Sequence, residues 1–440
     1  MEFATIVHAL KSGDDRLFLP TPVFLGIAII PGMLQWKLLM LPCDKVSSRT
    51  KQIISLPFLI IELLIPIIFA GGHRALTIIA GLYLFNTVLR CSEALYITPF
   101  LEGSEAYIDA NKLHQDFWAC LRLPSSSPSS NKKDTNDKKL RPWYHLILPL
   151  TMSALITDFL ASWYSTFSGQ DVFDMQEKRP GLYFVFFFFA VMILTSAINT
   201  FGYIFRLLYT ILYDGGYYDP DEWRLLMEYP VFASSFNNMW NYRWHQTFRG
   251  IWVAMPFKPV LLLLNKINNK TESNSNKKEQ KEIAKELDDE KKQLLQEAQE
   301  IKKKLKRSRS CKNNVAVATL SVFFISGVMH EYLVLCGSGV QVYLDEFIGQ
   351  ECLFFTLHGM VVLLERLVQP YLKVQQGFVA EILKRIWVIW FAFRTFHLFL
   401  NGFAQWELWN ANPFNAFTPY FVEHLWRKYP ILEPFCGSYL

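Results

Sequence analysis

The chain has 440 residues, enough for two or three soluble domains or for one large bundle of membrane helices. Hydrophobic residues make up 51% and aromatic residues 16%, while only 19% are charged, against about 25% in a soluble domain. The formal net charge is +5, but 15 of the 44 Lys and Arg and 9 of the 39 Asp and Glu lie between Asn265 and Lys312. The high apolar content excludes a disordered chain, and the nearly neutral remainder argues against nucleic-acid binding. We expect a membrane protein, with the lipid bilayer as its surroundings and one polar insert.

Stretches of about 20 apolar residues, the length that crosses a bilayer as a helix, recur along the chain. Eight windows qualify or nearly qualify: Leu17–Met40, Ile53–Gly72, Ala75–Leu89, Trp143–Tyr164, Leu182–Phe205, Val315–Leu335, Cys352–Leu372 and Ile386–Phe403. A ninth, Ile251–Leu264, is short and carries Lys258, so we expect it to lie in the membrane interface or to re-enter. The pattern predicts an all-α polytopic transmembrane bundle of about eight spans.

Two basic loops divide this bundle and predict its orientation, because basic loops are retained in the cytosol. We expect N-terminal spans and an amphipathic segment in residues 1–123 and a basic cytosolic linker in 124–142. Central spans follow in 143–264, a charged cytosolic helical insert in 265–312 and C-terminal spans in 313–440.

The insert carries a heptad-like pattern that predicts an amphipathic helix. The pattern consists of Ala284, Leu287, Lys291, Leu294, Ala298, Ile301 and Leu305. The pattern does not decide between two interpretations: a solvated cytosolic helix, and a coiled coil that pairs copies of the chain. The basic residues at its end suit anionic lipid headgroups.

Metal and disulfide chemistry have little support in the sequence. The seven cysteines are scattered and form no CxxC pair, and the one His-Glu pair lacks the second histidine of HExxH. We therefore expect no metal ion.

The sharpest chemical candidate is His330, which is followed by Glu331 inside an otherwise apolar span. An ionisable group at membrane depth is costly and so is a functional candidate. A neutral histidine there suits a general base that takes a proton from a hydroxyl group. The competing interpretation is a structural histidine bonded to a backbone carbonyl.

A second candidate lies upstream, where aromatic, basic and amide side chains crowd into a short segment. It contains Trp240, Asn241, Arg243, Trp244, His245 and Arg249. Aromatic and basic groups together suit an anionic donor that bears an adenine ring, while Asn and His can hydrogen-bond a carbonyl on which negative charge develops. An interfacial aromatic belt with snorkelling arginines is the alternative.

Together, the two segments resemble the membrane-bound O-acyltransferase family, in particular its wax synthase-like branch of fungal and plant proteins. One matching block is S-x-x-x-x-W-x-x-R-W-H-x-x-x-R, which begins at Ser235. The other is F-x-x-S-G-x-x-H-E, with Phe323, Ser326, Gly327, His330 and Glu331. His245 stands where many relatives carry Asn, which leaves open whether it is catalytic or only positions the donor.

The resemblance implies a helical bundle with an internal chamber, in which acyl-CoA enters from the cytosol and the acceptor alcohol from the membrane. His330 would deprotonate the acceptor, and His245 or Asn241 would polarise the thioester carbonyl. Substrate binding would fall to Trp240, Arg243, Trp244, Arg249, Ser326 and Glu331. No bound cofactor is implied, since acyl-CoA is a co-substrate.

The resemblance favours transfer of a short acyl group, most of all acetyl, to a terpenoid or a similar lipophilic metabolite. It also favours a location in the endoplasmic reticulum. Long-chain wax ester or sterol ester synthesis is the close alternative. A membrane transporter that uses His330, Glu331 and Asp158 as a proton relay is the alternative from another class. The remaining membrane charges, Glu365 with Arg366 and Arg394 with His397, suggest ion pairs or chamber lining.

Overall fold

The computed structural model describes residues 16–72, 74–122, 140–268, 289–369, 377–411 and 416–440, with only the backbone given for residues 289–312. Helices dominate these ranges. The strands in them have two residues each: Leu17–Phe18 (β1) runs parallel to Phe69–Ala70 (β2), and Arg141–Pro142 (β3) runs antiparallel to Tyr217–Tyr218 (β4). The predicted all-α class is confirmed.

The first half contains five long apolar helices and two short polar ones. They are α1 (Thr21–Met40), α2 (Ser48–Ile68), α3 (Arg74–Ser92), α4 (Ala110–Trp118), α5 (Ile147–Tyr164), α6 (Gly169–Lys178) and α7 (Pro180–Leu212). Helix α3 continues through a π-helical turn to Glu102. Ser168 caps α6 through a reciprocal pair of bonds with Asp171, which satisfies backbone groups that the helix cannot pair itself.

The second half contains four more long helices and several short turns. The long helices are α8 (Arg249–Asn268), α9 (Asp289–Ser338), α10 (Gln350–Val368) and α11 (Phe378–Ala404). Short helical turns precede α8 at Pro220–Glu222, Pro230–Phe232, Phe236–Asn238 and Met239–Arg243. Others follow at Val340–Val342 and Tyr343–Phe347, and in the tail at Leu408–Ala411, Thr418–Phe421, Val422–Trp426 and Pro430–Phe435.

Eight helices of the described chain are long and apolar enough to cross a membrane, or nine if a bent pair counts as one more span. Their outer faces expose large apolar side chains such as Ile53 at 66%, Leu148 at 70% and Val379 at 68%. Apolar surface on this scale is unfavourable in water and suits lipid. The chain is a multi-pass membrane protein.

The structure refines two of the predicted spans. Helix α8 is 20 residues long because residues on both sides of Ile251–Leu264 continue the helix, so its length does not exclude a crossing. The expectation that it lies in the interface or re-enters stays a prediction. The predicted span at Cys352–Leu372 is part of a bent pair, in which residues 340–347 meet α10 at 48°, as in a broken span or a re-entrant loop.

The insert and the last spans are joined by one continuous helix. At 50 residues, α9 is about 75 Å long, and it passes from the charged insert into the span Asn313–Ser338 without a break at Lys312. This confirms a helix from Asp289 onward. Ala284, Leu287 and residues 124–139 of the linker lie outside the described residues, and the domain boundaries stay predictions.

Close packing of α9 against α10 sets the frame for the site. A Cβ atom on Gly327 would lie 2.7 Å from the Cα of Cys352, and one on Gly359 would lie 2.8 Å from the Phe323 ring. Only glycine fits at such distances. Gly327 and Gly359 therefore let the two helices approach closely in an antiparallel register, in which residues 323 and 327 face residues 359 and 352.

Candidate functional site

The two motif blocks meet in space. We call residues 235–249 the aromatic–basic segment and residues 323–331 the histidine turn. The ring of Trp240 lies 5.6 Å from that of Phe323 and 5.6 Å from that of Phe355 on α10. Phe355 in turn stacks on the His330 imidazole at 4.3 Å between centroids. The blocks are thus brought together around one phenylalanine that neither of them contains.

The hydrogen bond made by His330 determines which of its ring nitrogens carries hydrogen. The imidazole is 8% exposed, and its Nδ1 lies 2.7 Å from the carbonyl oxygen of Ser326, one turn earlier. A carbonyl oxygen only accepts, so Nδ1 is the protonated nitrogen of the neutral ring and Nε2 keeps a lone pair. The carbonyl contact expected of a structural histidine is present. The same contact holds the ring as a general base would need to be held.

Glu331 joins α9 to the start of α10. One carboxylate oxygen accepts from the Tyr343 hydroxyl at 2.7 Å, and the other accepts from the backbone N–H of Cys352 at 3.0 Å. Both contacts are within the protein and fix α9 against α10 at the level of His330. A role for Glu331 in substrate binding stays a prediction.

The aromatic–basic segment is an irregular loop built from two short turns. The hydroxyl of Ser235 accepts from the Asn238 N–H at 2.9 Å and caps the first turn. Arg243 donates to the Asn238 side chain at 2.8 Å and to the Glu228 carbonyl at 2.9 Å. Arg243 therefore holds the loop in shape. Arg243 and Asn238 help to turn Trp240 toward the protein interior.

His245 is close enough to His330 for the two rings to interact electrostatically. Its own ring packs edge-on to Phe248 at 5.6 Å. Desolvation lowers the pKa of His245 to about 4, so the imidazole is neutral at neutral pH and can donate or accept a hydrogen bond.

Asn241 and Arg249 make their hydrogen bonds within the aromatic–basic segment. The Asn241 amide donates to the Asn237 side chain at 2.8 Å, which uses one of its two N–H groups. Arg249 is exposed and makes only long contacts, at 3.4 Å, to the Asn241 carbonyl and the Gln246 side chain. Which of His245 and Asn241 would polarise a thioester carbonyl stays a prediction.

Sequence reasoning missed His358, which lies one turn after Phe355 on α10. The side chain is 1% exposed and surrounded by rings, with Phe354 at 4.2 Å and Trp240 at 5.5 Å. Its Nε2 lies 2.9 Å from the Thr395 hydroxyl on α11. A single titratable residue in the otherwise uncharged run Phe354–Leu364 was the signal that could have found it.

Two other polar positions prove to be structural. The carboxylate of Asp158 accepts from the Phe417 N–H at 2.6 Å and from the Thr418 hydroxyl at 2.5 Å, which ties α5 to the C-terminal tail. Asn401 accepts from the Gln176 amide at 3.0 Å. Both carboxylate oxygens of Asp158 therefore bind the C-terminal tail.

Two cavities of the described chain lie away from the histidine turn. An apolar one of about 380 Å³ lies between α5 and α7 beside Phe421, and one of about 150 Å³ lies beside Asp171 and Cys436. The chamber implied at His330 stays a prediction. In the described ranges, no three His, Cys, Asp or Glu side chains are grouped as metal ligands.

Comparisons of the chain with protein-family models, with curated proteins and with solved structures found no match, so the resemblance to the membrane-bound O-acyltransferases rests on the two motif blocks.

Proposed function

We propose that this protein is a membrane-bound O-acyltransferase that moves an acyl group from acyl-CoA to the hydroxyl group of a lipophilic acceptor. The observation that carries the proposal is the meeting of the two motif blocks around Phe355, with His330 held by its Nδ1 and its Nε2 carrying the lone pair. The general base and the groups suited to the donor are then adjacent.

The reaction follows from these positions. Nε2 of His330 takes the proton of the acceptor hydroxyl as its oxygen attacks the thioester carbonyl. The C–S bond breaks, the ester forms, and the proton on His330 passes to the departing thiolate to give CoA-SH. His245 donates a hydrogen bond to the carbonyl oxygen while it carries negative charge.

The donor side of the site is the aromatic–basic segment. Trp240 and Trp244 lie 5.4 Å apart and offer ring faces to an adenine or pantetheine group, and Arg249 offers an exposed charge to a phosphate. The start of this segment, Phe236, is bonded to Glu365, which lies beyond Gly359 on α10 toward the level of Asn313, where the charged insert joins the α9 span. With the insert in the cytosol, the donor arrives from the cytosol.

A donor and acceptor panel tests the proposal. Membranes containing the protein are incubated with labelled acetyl-CoA or palmitoyl-CoA and a set of terpenoid, sterol and fatty alcohols. We expect ester from acetyl-CoA and a terpenoid-like alcohol, in membranes of the endoplasmic reticulum. Ester from palmitoyl-CoA alone would indicate a wax or sterol ester synthase, and no ester from any donor would contradict the proposal.

The transporter alternative has less support. It requires Asp158 to exchange protons with His330 and Glu331, but the carboxylate of Asp158 is bonded to the Phe417 N–H and the Thr418 hydroxyl in the C-terminal tail. Glu331 is bonded to Tyr343 and Cys352 instead.

A further inference from the structure

Glu365 makes an unusual contact for a carboxylate near the end of a membrane helix. One oxygen accepts from the backbone N–H of Phe236 at 3.0 Å, and the other accepts from the backbone N–H of Asn237 at 3.1 Å. A carboxylate that accepts from two successive amides holds that backbone in one orientation. The contact joins residues about 130 positions apart, on α10 and at the start of the aromatic–basic segment.

Arg366 holds the same segment by a second route. Its guanidinium donates to the side-chain oxygen of Asn237, at 2.9 Å from Nη2 and 3.3 Å from Nε. The same oxygen accepts from the amide of Asn241 at 2.8 Å. Through Asn237, therefore, Arg366 acts on the turn that carries Trp240 and Asn241.

These contacts replace the ion pair expected from the sequence. Adjacent residues on a helix point about 100° apart, so Glu365 and Arg366 do not face each other along α10. Both side chains instead bind residues 236 and 237. Glu365 lies about 9 Å beyond Gly359 along α10, toward the end where α9 leaves the membrane, so the attachment is on the donor side.

We propose that Glu365 and Arg366 are positioning residues for the acyl donor: they fix the aromatic–basic segment in the register that places Trp240 and His245 beside His330. The expected kinetic consequence rests on the proposed function. The attachment of the segment to α10 does not. Replacing Glu365 by Gln leaves one acceptor for two N–H groups and turns an amide N–H toward the other, so the start of the segment loosens.

The test combines hydrogen exchange with steady-state kinetics on purified full-length protein. In Glu365→Gln, amide exchange in peptides that cover residues 233–243 should rise by about tenfold or more, and peptides of α9 should exchange as in the wild type. The KM for acyl-CoA should rise several-fold, while the KM for the alcohol stays near its wild-type value. A general loss of folding would raise exchange in all peptides and lower the maximal rate, but it would leave both KM values unchanged.

Three further variants provide controls. Glu381→Gln removes an exposed acid that is paired with Lys384 on α11, and it should change neither readout. Arg366→Gln should show a smaller change of the same kind, and Arg366→Lys should recover part of it because a lysine can still donate to Asn237. Since Arg366 is exposed, these variants keep the test available if Glu365→Gln does not fold.

Unchanged exchange at residues 233–243 in Glu365→Gln or Arg366→Gln would overturn the attachment. Raised exchange with an unchanged KM for acyl-CoA would overturn the positioning role. If the wild type forms no ester from any acyl-CoA, the proposed function fails and the positioning role fails with it, while hydrogen exchange still decides the attachment.

Discussion

The histidine turn and the aromatic–basic segment are held in place by different means. The histidine turn is part of a regular helix and is fixed by close packing, with Gly327 against Cys352 and Glu331 bonded across to α10. The aromatic–basic segment is irregular and is fixed by polar side chains, chiefly Glu365 and Arg243. Packing tolerates little displacement, while a loop held by hydrogen bonds can shift with a ligand. We infer that the proposed base is held more rigidly than the proposed donor side.

The largest effect in this comparison is expected at the rigid base. His330→Ala should lower ester formation per folded molecule by about 10²–10⁴-fold, because it removes the proposed general base, and it should leave expression intact. The matched control is His424→Ala, which removes a histidine that is exposed in the tail. Near wild-type activity in His330→Ala would contradict the assignment of the base.

The next effect tests whether packing holds the histidine turn. In Gly327→Ala the new methyl group would meet the α10 backbone at 2.7 Å, so we expect a loss of about 1–3 kcal/mol in the free energy of unfolding. Gly181→Ala, at an open position near the start of α7, should be neutral or slightly stabilising. Thermal melts in detergent measure both, and equal melting temperatures would show that α9 and α10 are not in close contact.

Glu331 and Asp158 form a matched pair of buried carboxylates. Each accepts from one hydroxyl and one backbone N–H, but only Glu331 is next to His330. Glu331→Gln and Asp158→Asn should each cost about 1–3 kcal/mol of stability. Only Glu331→Gln should also lower activity per folded molecule, because its contacts are beside His330. Equal activity losses in the two variants would indicate a general effect of destabilisation.

The smallest effect is expected at the exposed edge of the aromatic–basic segment. Arg249→Ala should change the free energy of unfolding by less than about 0.5 kcal/mol, as is usual for exposed positions. The KM for acyl-CoA should rise a few-fold if Arg249 binds a phosphate. An unchanged KM at low and moderate salt would exclude Arg249 from the donor site.

The sequence predicted the helical class well, because a bilayer requires long apolar runs and such runs are visible one residue at a time. It also drew attention to His330 as an ionisable group in an apolar span, and the catalytic role of His330 stays a prediction. It could not predict that Glu365 binds the backbone of Phe236, since that contact joins distant parts of the chain and leaves no local pattern. His358 was missed because one neutral polar residue in an apolar run has many structural uses.

The central claim is that the histidine turn and the aromatic–basic segment form one site for an acyl donor. A short acyl-CoA analogue with a photoreactive group close to the thioester tests it directly, with the labelled residues mapped by mass spectrometry and unlabelled acyl-CoA as competitor. We expect labelling at two places: in residues 235–249, and either in residues 323–331 or at Phe355, which faces them. Unlabelled acyl-CoA should suppress the labelling at both places. Labelling that avoids one of the two blocks, or that is confined to the apolar cavity between α5 and α7, would contradict it.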